Sequence, residues 1–225
     1  MDDLEFIITS DGSHTLRNRQ LNETYHSVHG ALQESTHVFV NNGLRFFHQS
    51  HQRAHISILE VGFGTGLNAW LALTFARDNN VSLHYVTLEP FPLDEEVWSR
   101  LNYVPADKSM FEALHRAPCD EPVEIHPAFT LKKLKCSLLD LNIRDSFDVV
   151  FFDAFAPSVQ PALWAYEALQ RATDRLNAEG VFVTYSAKGQ LKRDLKALGL
   201  HVETLPGPPG KKEMVRAVRG ADEKP

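Results

Sequence analysis

Three carboxylates and a run of glycines carry the chemistry that this 225-residue sequence can offer. The stretch ILEVGFGTGLNAW, residues 58–70, sets Glu60 at the end of an apolar run and follows it with Gly62, Gly64 and Gly66. Glycines directly after a strand let the next helix bring its unpaired N–H groups close to a ligand. The pattern is E-x-G-x-G-x-G, which supplies neither the G-x-G-x-x-G of a dinucleotide site nor the terminal G-K-[ST] of a phosphate loop. Glu89 closes a second apolar run, 23 residues after Gly66. A carboxylate in that place accepts both hydroxyl hydrogens of a ribose. Asp153 closes a third run, FDVVFFDAF, and points toward the mouth of a sheet, where an ionised acid holds and deprotonates an amine. Plainer readings stand beside each: a tight bend, a surface glutamate before Pro90, a helix N-cap. Pro157 and Ser158 already supply a start signal for the following helix, which favours a chemical role for Asp153.

These residues need elements to position them. HISILEV (55–61) reads as a short β-branched strand and 67–77 as a helix; VSLHYVTLE (81–89) is a second strand, and DEEVWSRL begins a second helix. PVEIHPA follows as a weak strand, FTLKKLKCSLLDL as a helix, and FDVVFFDAF as a buried strand. A helix over 161–176, a strand over 180–187 and a helix over 190–198 continue the alternation. Strand, helix, strand in this order means parallel strands with crossovers. LHVETLP and EMVRAVR are joined only by GPPGKK, too short for a crossover, and are expected as an antiparallel pair at a sheet edge. The first 50 residues show little periodicity, and GADEKP reads as a frayed tail.

Composition narrows the options. The chain is 43% apolar and 23% charged, enough to bury one sizeable core. Its acidic start, MDDLEFIITS, does not resemble a secretory signal, and no run approaches the length of a membrane span, so a cytoplasmic protein without membrane contact is expected. Two distant cysteines, Cys119 and Cys136, imply reduced thiols. His26 with His29, and His48 with His51, lack the companions of a zinc site, so no metal is expected. The net charge of -6 argues mildly against nonspecific nucleic-acid binding. Basic residues nonetheless collect in 131–135, 188–196 and 210–220, most simply as solvated faces, with a basic patch left open.

The glycine turn is similar to the first motif of S-adenosylmethionine-dependent methyltransferases. TSDGSHTLRNRQLNETYHSVHGALQESTHVFVNNGL, LEVGFGTGLN, YVTLEPFPL, FFDAFAPSVQPALW, VTYSAKGQLKRDLKALGL and PGPPGKKEMVRA together resemble, in order and over nearly the whole chain, one enzyme family. It is the methyltransferase half of the bacterial bifunctional enzymes that make 5-methylaminomethyl-2-thiouridine in tRNA. The resemblance implies an α/β, Rossmann-like class I methyltransferase fold: a mostly parallel, seven-stranded sheet with an antiparallel edge pair. It implies an N-terminal extension (1–50) covering the active site, a methyltransferase domain (51–219) and a flexible tail (220–225). The implied reaction moves a methyl group from S-adenosylmethionine to the amine of 5-aminomethyl-(2-thio)uridine at the tRNA wobble position, with the anticodon stem-loop as partner. The bifunctional form carries a second, FAD-dependent domain whose fingerprint this sequence lacks. A stand-alone version is therefore expected, functionally linked to a separate enzyme that supplies the aminomethyl group.

The same resemblance distributes the site residues. Asp153 becomes the proton acceptor. Glu60, Gly62, Phe63, Gly64, Thr65, Gly66 and Asn68 surround the methionine part of the cofactor, Glu89 the ribose, and Glu34 the cofactor from above. Tyr25 and His29 contact the target base, and Lys188 and Lys211 of the basic runs are expected to contact the tRNA substrate; Phe155 and Tyr185, at the ends of neighbouring strands, either stack on the flipped uracil or serve as core aromatics. Many such enzymes end their third strand with an acid that reads adenine; EIHPAFT offers His126 and Thr130 instead. Two competitors remain. An aminopropyl- or methyltransferase acting on a small amine would use the same turn and acids, but would want further acids where AFAPSVQPALW stands. A silent binding module would have lost the glycines or the acids, and all are present.

Overall fold

The strand FDVVFF is the axis of the molecule. As the inner strand of a parallel sheet it is covered on both faces, and all six of its residues are buried. In the computed structural model, which describes residues 3–104 and 108–221, this strand is β8 (Phe147–Phe152). Its parallel neighbours are β4 (His55–Val61) and β9 (Leu176–Thr184), and β5 (Ser82–Leu88) and β7 (Phe129–Leu134) extend the parallel set beyond β4. At one edge β10 (His201–Pro206) and β11 (Glu213–Val218) form the expected antiparallel pair, with β11 also antiparallel to β9. At the other edge β6 (Pro122–His126) runs antiparallel to β7. The order is β10-β11-β9-β8-β4-β5-β7-β6, eight strands rather than the expected seven.

The additional strand is FTLKKL, expected as part of a helix. Phe129 and Leu131 are buried while Thr130 and Lys132 are half-buried, which is the alternation of a strand. Lys133 disguises it. This lysine takes an inward position, where its ammonium donates to the His115 carbonyl, so the run K-K-L-K reads as one face of a helix. Two further differences are local. The helix expected over 161–176 breaks into a 3₁₀ turn, Pro161–Trp164, and α6, Tyr166–Thr173. An unexpected helix, α5 (Ser109–Arg116), follows the four-residue α4 (Glu95–Trp98).

Alternate side chains of the strands enter two cores. Ile58, Val149, Phe151 and Val183 pack on one face with α3 (Leu67–Asn79) and α5. Leu59, Val150, Phe152 and Phe182 pack on the other with α6 and α7 (Gly189–Ala197). The described N-terminal residues, from Asp3 onward, form defined elements. They begin with a small antiparallel sheet of β1 (Leu4–Ile8), β2 (His14–Asn18) and β3 (Glu23–Thr24). A continuous helical segment follows: α1 (Ala31–Ser35), a π-helical stretch Thr36–Arg45, and α2 (Phe46–His51). Wide i→i+5 turns displace the apolar positions from ordinary helical spacing, which is why the sequence shows little periodicity there. Gly43 lets this segment lie on the sheet, since a Cβ would stand 2.8 Å from Val183 Cγ2. The tail expected over 220–225 lies outside the described residues from 222 onward. Among the described residues no helix is long and apolar enough to cross a membrane.

Candidate active site

The carboxyl ends of β4, β5, β7, β8 and β9 open into one cavity of about 1400 Å³. A sheet of this winding presents its ligand crevice at that edge. The volume exceeds the roughly 300–1,000 Å³ of an ordinary small-molecule pocket, leaving room for a cofactor and the reacting part of a second molecule.

The turn after β4 forms the floor. Gly62 has φ of 96°, and a Cβ there would lie 2.6 Å from the Asp153 carbonyl oxygen. Gly64, at φ 49°, faces the Tyr25 ring, 3.1 Å from where a Cβ would stand. Both positions need glycine for conformation and for approach. Gly66 precedes α3. The Gly64 N–H donates to Glu89 Oε2 at 2.9 Å and the Phe91 N–H to Glu89 Oε1 at 2.9 Å. Each oxygen of Glu89 keeps a lone pair, so the carboxylate is held by backbone while still facing the cavity. Burial nonetheless raises its pKa.

Two aspartates bracket β8 and differ in their partners. Asp148, at the amino end, accepts from Arg53, from the Ser57 amide and hydroxyl, and from Asn177, all within 3.0 Å. It is a structural strut. Asp153, at the carboxyl end, lines the cavity and accepts from Asn68 Nδ2 at 2.8 Å. Burial, then the nearby charges of Glu34 and Glu60, push its pKa well above the usual carboxylate range. Such an acid is a ready proton acceptor once a cation lies beside it.

The cavity lining gathers most residues singled out from the sequence: Gly62, Phe63, Gly64, Thr65, Glu89, Asp153, Phe155 and Tyr185, with Tyr25, His29, Glu34 and Lys211 from the flanking segments. Phe155 stands edge-on to Tyr25, ring centres 5.0 Å apart, and the Tyr185 hydroxyl donates to the Ala154 carbonyl at 2.9 Å. Gly66, Glu60 and Asn68 stand behind the lining. Glu60 is fully buried, accepts from Thr87 Oγ1 at 2.6 Å, and is raised by burial to about 7. Lys188 is exposed at the start of α7, outside the cavity.

The structure corrects the adenine side. His126 belongs to β6, which runs opposite to the parallel strands, and Thr130 lies near the start of β7. The carboxyl end of the third parallel strand is therefore Lys135, Cys136 and Ser137, which line the cavity together with Leu138, Leu139 and Asp140. Reading FTLKKL as a strand would have found them. His26 was also missed; it is buried beside Thr65, its ring held neutral by burial with a pKa near 4. Basic residues of the C-terminal runs are partly spent on acids: Lys192 pairs with Glu213 and Arg216 with Glu203.

The architecture has close counterparts. A solved structure of MnmC2 from Aquifex aeolicus superposes with a TM-score of 0.78 at 26% identity, covering 98% of this chain and 71% of that one. The family model described as S-adenosyl-L-methionine-dependent methyltransferase matches residues 110–220. The chain has the fold of the class I S-adenosyl-L-methionine-dependent methyltransferases. It is 29% identical over 215 residues to the tRNA 5-methylaminomethyl-2-thiouridine biosynthesis bifunctional protein MnmC of Marinomonas sp. (strain MWYL1), aligning 88% of this chain with 31% of that protein. The chain thus spans about a third of the length of the curated relatives it matches. Spermidine synthase from Thermotoga maritima, at 17% identity and a TM-score of 0.58, shares the fold. The residues present suit S-adenosyl-L-methionine, since the glycine floor admits close approach and Glu89, fixed by two backbone amides, keeps a lone pair on each oxygen for a pair of hydroxyls.

Proposed function

We propose that this methyltransferase converts 5-aminomethyl-(2-thio)uridine at the tRNA wobble position to 5-methylaminomethyl-(2-thio)uridine. Asp153 carries the reading: a carboxylate with one protein donor and a raised pKa, at the mouth of the sheet, beside a cavity roomy enough for cofactor and base. Bound S-adenosyl-L-methionine supplies a methyl group on a sulfonium centre and departs as a neutral thioether. A primary aminomethyl group is largely protonated at neutral pH and has no lone pair for attack. Asp153 holds that ammonium, takes its proton, and leaves the nitrogen free to form the new N–C bond. Asn68 keeps the carboxylate oriented.

Phe155, Tyr25 and Tyr185 offer aromatic faces and edges to a base withdrawn from the anticodon loop, the usual mode for single-stranded RNA. Glu89 is assigned to the ribose of the cofactor, and the end of β7 to its adenine. The anticodon stem-loop is the partner, a separate or linked enzyme supplies the aminomethyl group, and the cytoplasm, where tRNA is modified, is the location. The acid-rich cavity also favours a second reading, transfer to a small free amine. Incubation with labelled cofactor separates them. Label in the wobble nucleoside of tRNA bearing 5-aminomethyl-2-thiouridine, and none in tRNA lacking the aminomethyl group, supports the first; label only in a free amine supports the second.

A further inference from the structure

The cavity holds a second acid, Glu34, that amine transfer leaves unused. Glu34 is 5% exposed. Its Oε2 accepts the Ser27 N–H at 2.6 Å, and its Oε1 is met at 2.6 Å by the ammonium of Lys211. The same ammonium lies 3.7 Å from the centre of the Tyr185 ring. Lys211 reaches in from the loop between β10 and β11, and that loop is fastened to the N-terminal segment. His37 Nε2 lies 2.8 Å from the Pro206 carbonyl oxygen, and the His29 ring packs against Gly210. Among the described residues, Lys211 and Lys135 are the lysines lining the cavity, against five carboxylates.

A carboxylate and an aromatic face are the two protein groups that recognise a primary ammonium. Lys211 already has both. We propose that Lys211 is an internal ammonium filling a second cation position of the active site, so that the site admits a substrate with one cationic amine and excludes diamines. With Lys211 in place both oxygens of Glu34 are engaged, and of the pair Glu34 and Asp153 the second is left for the incoming amine. Without it, Glu34 and Asp153 become two uncompensated acids lining one cavity, and two ammonium groups on one flexible chain balance them. The inference rests on Asp153 as the partner of the substrate amine. It adds what makes that partner single.

The test is calorimetric titration of 1,4-diaminobutane and of n-butylamine into the wild type, Lys211→Ala, Lys211→Met and Lys211→Arg, with melting temperatures confirming that each variant folds. Lys211→Ala and Lys211→Met should bind the diamine about tenfold or more tightly than the wild type, the scale set by leaving a buried charge unpaired. Lys211→Arg should exclude it as the wild type does. In Lys211→Ala, n-butylamine, one methylene longer than the propylamine fragment that the substitution removes, should restore methyl transfer that the substitution lowers. Equal diamine affinity in the wild type and both folded neutral variants overturns the inference, as does rescue by sodium chloride to the same degree as by n-butylamine. Binding is read without methyl transfer. A wild type that labels no tRNA while Lys211→Ala gains diamine binding would therefore sink the tRNA reading and leave the internal ammonium standing.

Discussion

Asn68 donates its side-chain N–H to Asp153 Oδ2 across 2.8 Å, tying the first turn of α3 to the end of β8. The helix that follows the glycine turn thereby holds the acid that lines the cavity. Losing this bond removes an influence that lowers the Asp153 pKa. Asn68→Ala should therefore move the acid limb of the kcat/KM profile to higher pH, with a loss of roughly tenfold at neutral pH for one pKa unit. A limb that stays in place would show that another group takes the proton.

Glu60 offers a stability test that needs no substrate. Its pKa in the folded chain is about 7, raised by burial above the ordinary glutamate range. An acid raised on folding stabilises fully at pH below its unfolded pKa, and the contribution is lost as pH climbs through the folded value. Glu60→Gln removes that loss. Relative to the wild type, the variant should gain about 3 kcal/mol between pH 4.5 and pH 8 in urea unfolding. His26 and His115, both lowered by burial, give the opposite slope on acidification but are common to the two proteins and cancel. A gap that does not change with pH would show that Glu60 is charged throughout.

Gly62→Ala combines a positive φ with an approach to the Asp153 carbonyl that a methyl group cannot share. We expect a cost of about 1–3 kcal/mol in stability and a weakened affinity for cofactor, measured by calorimetry. Unchanged cofactor affinity would remove the turn from the binding site.

The end of β7 makes a sharper distinction. Cys136 lines the cavity, whereas His126 sits on the antiparallel β6 with its Nδ1 accepting the Ala128 N–H at 3.0 Å. Cys136→Trp should weaken cofactor binding by about tenfold or more by filling the cavity, and His126→Ala should leave it unchanged. The reverse pattern would move the adenine contact from the end of β7 to β6.

What could be read from the sequence followed physical regularity. Alternating strands and helices, the glycine turn, and acids at strand ends gave the parallel sheet and the positions of Glu89 and Asp153, because each depends on local pattern. FTLKKL misled because one inward lysine, bonded to a carbonyl 18 residues away, broke the apparent alternation. With that strand misread, its ligand-facing end at Cys136 was hidden. The π-helical Thr36–Arg45 was unreadable for a related reason, a turn width that ordinary helical spacing does not match. Glu60 shows the limit of motif position: it sits where a cofactor contact is expected, yet faces Thr87 from behind the cavity wall.

The central claim is that Asp153 receives the substrate amine for methylation. The most direct measurement is methyl transfer from labelled S-adenosyl-L-methionine to tRNA bearing 5-aminomethyl-2-thiouridine, comparing the wild type with Asp153→Asn, while cofactor affinity is measured in both. The account predicts labelled wobble nucleoside with the wild type, a rate lower by about 10²–10⁴-fold with Asp153→Asn, and cofactor affinity within a few-fold. An Asp153→Asn protein that binds cofactor and methylates at the wild-type rate would contradict it.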